Sequence, residues 1–285
     1  MRNKWIAAPY VGWMAFFVVA PLIVVLIYAF TRESADGSWF ITLDNFEGMV
    51  GYASVFGRSF LLAGIATLVC ILLGYPMAYF LARERGRLRS MATLLIMLPM
   101  WMNFLLRTYA WMSLLENTGL LNRFFEAIGL FNLINGIFGT ELEYFKMINT
   151  QGAVVLGMVY NYLPFMILPI YTAMTKIDDS IVEAAQDLGC NVWQILFRVL
   201  VPLTGPGIAT GITQVFVPAV STFIISRMLG GGSNLLIGDL IELQFLGNSY
   251  NLNLGSAMSL VLMVIVLLCM SFTSSFDESE MEGVM

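Results

Sequence analysis

Glu183, Ala184 and Ala185 stand together in the stretch EAAQDLGCNVWQILFRVLVP, with Gly189 three residues further on and Pro202 closing it. These residue types suit grip rather than bond-breaking. A carboxylate offers an ion pair to a basic group on another surface, and two alanines let that surface approach a helix backbone closely. Gly189 supplies the left-handed residue that ends a helix without a Cβ penalty. The usual covalent and redox chemistries lack their residues. The chain has no histidine, the commonest metal ligand and the usual proton shuttle near neutral pH. Cys70, Cys190 and Cys269 are too scattered for a disulfide framework or a metal-ligand spacing, and read as soft packing residues. No phosphate-cradling GxxxxGK[ST] motif occurs, so the chain is not itself a nucleotide-driven motor.

The elements that position this stretch follow from composition. Of 285 residues, 59% are hydrophobic and 12% charged, about half the charge of a soluble domain. Mean hydropathy is +0.81, and the excess sits in long apolar runs. The fold class is therefore an all-α polytopic membrane helix bundle forming one domain over 1–285. A net charge of −5 and a pI near 4.8 argue against a nucleic-acid partner. Crossing the hydrocarbon takes about 20 apolar residues. Six runs qualify: 10–30, 60–82, 91–115, 152–174, 207–225 and 254–272. The first is too long for a signal-peptide core and reads as a retained anchor.

Lys and Arg in the loops set the orientation. With the N-terminus inside, the inner segments hold Arg2, Lys4, Arg83, Arg85, Arg87, Arg89, Lys176 and Arg198. The longer outer segments (31–59, 116–151 and 226–253) hold only Arg32, Arg58, Arg123, Lys146 and Arg227. Both termini are then cytoplasmic, and residues 176–206 face the cytoplasm. In the outer loops, TLDNFEGMV starts a short surface helix with Asp44 or Asn45 near its N-cap, and LNRFFEAIGLFNLI is amphipathic enough to lie along the interface.

Within residues 176–206, Asp178, Asp179 and Ser180 are N-cap candidates for a helix of about two and a half turns over IVEAAQDLG. NVWQILFRVLV forms a second, with Trp193, Leu196, Phe197 and Leu200 on one apolar face; Pro202 stops it, and Pro206 helps start the next span. The segment is either a lever moved by a soluble partner or a connector resting on headgroups.

The pattern E-A-A, three residues, G, nine residues, I-x-L-P is that of the cytoplasmic loop of binding-protein-dependent ABC importer permeases, and this stretch resembles it. Glu183, Ala184, Ala185, Gly189 and Pro202 match, while Val199 and Val201 replace the usual Ile and Leu. The resemblance runs from about residue 10 to 270 and is closest to the PotB-type subunits of spermidine/putrescine importers. It is carried by LGYPMAYFLAR, LPMWMNFLLRTYAW, YNYLPFMILPIY, VPLTGPGI and GGGSNLLIGDLIELQFL. The acidic end FDESEMEGVM departs from the basic tail expected after the sixth span. The resemblance implies a type I ABC importer architecture in a bacterial plasma membrane, surrounded by lipid. It implies a second homologous permease, an ATPase dimer docked on residues 178–190, and an extracytoplasmic substrate-binding protein. ATP and Mg²⁺ would be used by the ATPase, with no cofactor bound by this chain and no catalytic residue in it.

A polyamine is a flexible polycation, so its path should offer carboxylates and aromatic faces. Trp101, Asn103 and Tyr109 in the third span, with Tyr160, Asn161 and Tyr162 in the fourth, are the path candidates. Trp and Tyr near span ends also serve as interface anchors. Asp239 and Glu242 fall on one helix face, lining an outer gate or forming the wet face of an interfacial helix. The outer acids Glu33, Asp36, Asp44, Glu47, Glu116, Glu126, Glu141 and Glu143 join them, although ordinary charge asymmetry explains that excess too. Arg107, at membrane depth, either makes an ion pair holding two helices or snorkels outward. Pro164, Pro169 and Pro218 mark expected kinks. Alternatives are an importer permease for a different solute, an ion-coupled secondary transporter, or a scaffold. The second needs buried titratable groups and internal repeats that are not evident here.

Overall fold

The computed structural model describes residues 8–34, 38–139, 141–247 and 250–282. Arg2, Lys4 and Asp36 lie outside them. So do the last three residues of the acidic end. The first span is α1 (Ala8–Met14), a π-helical turn and α2 (Ala20–Phe30). A two-stranded antiparallel ribbon follows, β1 (Thr31–Glu33) on β2 (Trp39–Ile41), with Arg32 opposite Phe40. Next come α3 (Asp44–Glu47), α4 (Ala53–Arg83), α5 (Arg87–Trp101) and α6 (Phe104–Leu115). A short pair, α7 (Leu120–Ala127) and α8 (Leu130–Phe138), precedes α9 (Gln151–Met174). After α9 run α10 (Asp179–Asp187), α11 (Val192–Ile195), a π-helical turn, α12 (Val201–Leu203) and α13 (Gly205–Val220). The chain ends with α14 (Ile224–Gly230), α15 (Ile237–Leu246) and α16 (Leu252–Glu282).

The centre is α4, α9 and α13, packed on one another. On α4 the buried positions Leu62, Ala63, Ala66, Cys70, Gly74, Ala78 and Leu81 recur every three or four residues, which makes one face. Apolar burial between helices gains little in lipid, so close backbone approach through small residues does the work. A Cβ on Gly207 would stand 2.7 Å from Ala173 Cβ and 2.8 Å from the Pro169 carbonyl, and one on Gly211 2.7 Å from Met166 Sδ. The first span is peripheral: it packs on α16 and is otherwise almost wholly exposed. Its C-terminal carbonyls are nonetheless capped. Asn45 Nδ2 donates to the Ala29 and Thr31 carbonyls, and Asn253 Nδ2 to those of Tyr28 and Thr31.

Among the described residues, four helices are long and apolar enough to cross a membrane, and six if two bent pairs each count as one span. Those pairs correct the sequence reading. The third span, expected unbroken over 91–115, bends by 93° between α5 and the helices beginning at Phe104. Met102 is extended, and Asn103 Oδ1 accepts from the Leu105 and Leu106 amides, so an N-cap restarts the helix. The fifth span ends at Val220 rather than 225, and a 72° bend at Thr204 separates it from the helix before. Pro164, Pro169 and Pro218 sit inside continuous helices rather than at breaks. Asp44 and Asn45 stand next to the N-cap of α3, Leu43, as expected, and Asn45 is buried. The amphipathic outer stretch does form helices, α7 and α8, with Leu120, Phe124, Leu133 and Ile137 exposed.

Candidate functional site: the elbow between α9 and α13

Residues 176–206 leave α9, turn, and return into α13. Asp178 caps α10 by accepting from the Ser180 amide at 2.9 Å, and that N–H holds its carboxyl below the usual carboxylate range. The helix runs nine residues and gives way at Leu188; Gly189 follows at φ +80°. A second helix starts at a capping box: the Asn191 side chain accepts from the Gln194 amide, and the Gln194 side chain accepts from the Asn191 amide, both at 2.8 Å. Val182, Ala185, Ile195 and Leu200 close a small core of their own, with Tyr79 of α4 packed on it.

The motif residues therefore divide. Glu183 and Ala184 are exposed on the outer side of α10, while Ala185 is buried in the elbow's own core. Ala185 packs between the two arms of the elbow, so of the adjacent alanines Ala184 is the exposed one. Gly189 makes the turn, and a Cβ there would meet nothing within 4 Å, so backbone conformation alone asks for glycine. Pro202 lies within α12; the break comes at Thr204, whose hydroxyl donates to the Leu200 carbonyl at 2.7 Å beside Tyr75 Oη at 3.2 Å. The expected apolar face is rotated as well. Trp193 and Phe197 point outward and stack on each other at 6.0 Å between centroids, while Ile195 and Leu200 turn in. The π-helical turn at Leu196–Leu200 shifts the phase of the face.

The path candidates are dispersed. Trp101 and Tyr109 are exposed, and Asn103 is spent on capping α6. Tyr160 packs edge-on against Trp111, and the Tyr162 hydroxyl donates to the Pro218 carbonyl at 3.4 Å near the end of α13. Asn161 is buried; its Nδ2 donates to the Gly157 carbonyl, and its Oδ1 has no partner among the described residues. Arg107 neither snorkels nor makes an ion pair among the described residues. It is buried over the Phe104 ring with Nε and Nη1 unpartnered.

Asp239 and Glu242 are brought together on Arg227, and Asp239 is not on a wet face. Asp239 is 0% exposed. Its Oδ2 accepts from Ser226 Oγ at 2.5 Å and from the Leu236 amide at 2.8 Å, which caps α15. Its Oδ1 faces Arg227 Nε at 3.8 Å, and Arg227 also pairs with Glu242. Burial pushes the Asp239 carboxyl up, against those hydrogen bonds and Arg227. Within the expected outer loop, α14 and α15 thus pack against the bundle. Leu236 and Ile237 lie in the main core, and the Ile237 amide donates to Ser59 Oγ of α4 at 2.8 Å. Ser226 and Arg227 were not anticipated, because twelve residues separate Arg227 from Asp239 and no local pattern links them.

Comparison with known proteins agrees with this geometry. Residues 70–277 match the family described as "Binding-protein-dependent transport system inner membrane component". The chain is 38% identical over 261 residues to the spermidine/putrescine transport system permease protein PotB of Haemophilus influenzae, covering 90% of this chain and 87% of that one. It is 37% identical over 260 residues to PotB of Escherichia coli K12, covering 90% of each. Among solved structures, a bacterial ABC transporter involved in the import of the acidic polysaccharide alginate aligns at TM-score 0.74 and 17% identity. That alignment covers 98% of this chain and 96% of that one. The MetNI methionine ABC transporter aligns at TM-score 0.55 and 16% identity over 80% of this chain and 94% of that one, which bears on fold alone. The elbow, the bundle around it and these likenesses agree: the chain belongs to the ABC importer permeases, the inner-membrane components of binding-protein-dependent transport systems.

Proposed function

We propose that this chain is one permease subunit of an ATP-driven importer of spermidine and putrescine, sharing the translocation path with a second homologous permease. An ATPase dimer on the cytoplasmic side hydrolyses ATP with Mg²⁺, and a substrate-binding protein delivers the polyamine from outside. Both termini and the elbow face the cytoplasm. One observation carries the reading: α10 leaves Glu183 and Ala184 exposed, while its inner face is locked to the helix leading into α13. A push on that outer face moves α10, α11 and α12 together, and α13 with them. The substrate class rests on the PotB relatives.

Glu183→Lys reverses the charge of the docking face without touching the elbow's core. In cells carrying the complete system, uptake of labelled spermidine should fall to background while the chain still inserts in the membrane. Unchanged uptake would refute the coupling role. Competition by other solutes checks the substrate: putrescine should compete and neutral sugars should not.

A further inference from the structure

Along α9 and α13, the two helices that the elbow joins, runs a furrow of about 510 Å³. Pro169, Thr172, Lys176, Gly207, Thr210 and Gln214 are among its walls. Gly207 packs at Ala173 and Gly211 at Met166, so the two helices lie side by side in opposite directions. Gln214 is seven residues past Gly207 and Lys176 three past Ala173, which makes the furrow roughly 15 Å long. It runs from the elbow end to the middle of α13. Its wall differs from the other exposed span faces. Leu68 and Leu72 on α4, Leu94 and Leu95 on α5, and Val264 and Leu267 on α16 are apolar, as lipid requires. Gln214 is an exposed amide halfway along a membrane-crossing helix, and it makes no hydrogen bond among the described residues. Hydrocarbon would leave that amide unpaired, so this face meets water or a polar ligand.

The chemistry of the wall says which ligand. Thr210 Oγ1 donates to the Pro206 carbonyl at 2.9 Å, and Thr172 Oγ1 to the Leu168 carbonyl at 2.8 Å. Both hydroxyl protons are spent there, and what the two threonines have left is lone pairs. The Gln214 backbone carbonyl has no donor four residues on, because Pro218 lacks an N–H. The Gln214 amide alone would suit either sign of charge; the spent hydroxyls tip the wall towards a donor. Among the described residues no carboxylate lines the furrow, and Lys176 is its one cation. Lys176 stands at the elbow end, further from Gln214 than the screening length of about 8 Å at physiological salt. Uncharged oxygens replace the water around a cation and still let it leave, as carbonyl dipoles do in channels. We propose that this furrow is the inner half of the cargo's route, with one ammonium of the polyamine seated on Gln214 Oε1 and Thr210 Oγ1. The cargo rests on the polyamine reading above, and the place on this wall. Because α12 leads into α13, a shift of the elbow moves α13 against α9 and changes the width of the furrow.

The test uses the complete transporter in vesicles, with Cys70, Cys190 and Cys269 replaced and single cysteines introduced. Gln214→Cys should react from the cytoplasmic side with a membrane-impermeant cationic methanethiosulfonate. After correction for rates on free cysteine, that reaction should run about tenfold faster than with an anionic reagent. Spermidine should slow it severalfold. Val264→Cys, on an exposed apolar face of α16, should react with neither reagent. No reaction at Gln214→Cys would mean that lipid or the second permease covers it, and would overturn the route. Equal rates with both reagents, or a rate indifferent to spermidine, would overturn the ammonium seat. If Gln214→Cys does not accumulate, Thr210→Cys takes its place with the same expectations. Gln214→Leu keeps the bulk of the side chain and removes its oxygen, so uptake of labelled spermidine should fall about tenfold at equal chain level. Unchanged uptake would remove Gln214 from the seat. Failure of the polyamine reading looks different. A wild type that imports no spermidine, with the cationic preference at Gln214→Cys intact, would refute that reading and keep the route for another cation.

Discussion

At the end of the bundle opposite the elbow, α15 is pinned by groups that water does not reach. Asp239, with Ser226 and the Leu236 amide on one oxygen, sits among core residues, and a Cβ on Gly238 would stand 2.5 Å from the Ser221 carbonyl. At the elbow, α10 is held by a four-residue core of its own, an exposed N-cap and one exposed ion pair. The first arrangement resists displacement because every shift leaves a buried polar group unpaired. The second has few buried ties to the rest of the bundle, so it can tilt as one body with its short arms locked together. One end is built as an anchor and the other as a joint, which is what transmission of an external push requires.

Three substitutions probe this contrast, in descending order of expected effect on stability. Asp239→Ala strands the Leu236 amide, leaves the Ser226 hydroxyl with the Phe223 carbonyl as its acceptor, and leaves Arg227 with Glu242 alone. It should cost about 2 kcal/mol, read as a lowered unfolding midpoint of the purified chain in detergent. A neutral result would remove the anchor from the account. Gly189→Ala meets open space but forces a side-chain-bearing residue to φ +80°. It should cost about 1 kcal/mol and reduce ATP-driven uptake at equal chain level. Uptake untouched by it would mean that the angle at Gly189 does not matter. Arg85→Ala breaks an exposed pair worth at most about 1 kcal/mol, and a double-mutant cycle with Asp179→Ala should give a coupling near that or below. A larger coupling would show the joint to be more tightly held than its exposure implies.

The parts of the fold written in local sequence were legible, and those made by distant contacts were not. Long apolar runs marked the spans, with 152–174 placed nearly as α9 runs. Asp178 and Gly189 marked the limits of the elbow's first helix through capping and left-handed backbone, which depend on neighbours alone. The break in the third span was missed, because Asn103 sits in an apolar run and only its capping of Leu105 and Leu106 shows that the helix restarts there. Residues 226–253 read as a watery loop from their glycines, asparagines and acids. Leu236 and Ile237 reach the core through Ser59, 178 residues away from Ile237 in sequence. Three- and four-residue spacing put Trp193, Leu196, Phe197 and Leu200 on one apolar face; Trp193 and Phe197 do stack together, but they are exposed while Leu200 is buried.

The elbow's two adjacent alanines offer the most direct test. In a chain whose Cys70, Cys190 and Cys269 are replaced, single cysteines at Ala184 and at Ala185 would be labelled with a bulky maleimide in vesicles of known sidedness. Ala184→Cys should label only from the cytoplasmic side and be protected when the ATPase subunits are added, while Ala185→Cys labels slowly under either condition. Labelling of Ala184→Cys from the outer side, or labelling indifferent to the ATPase, would contradict the account.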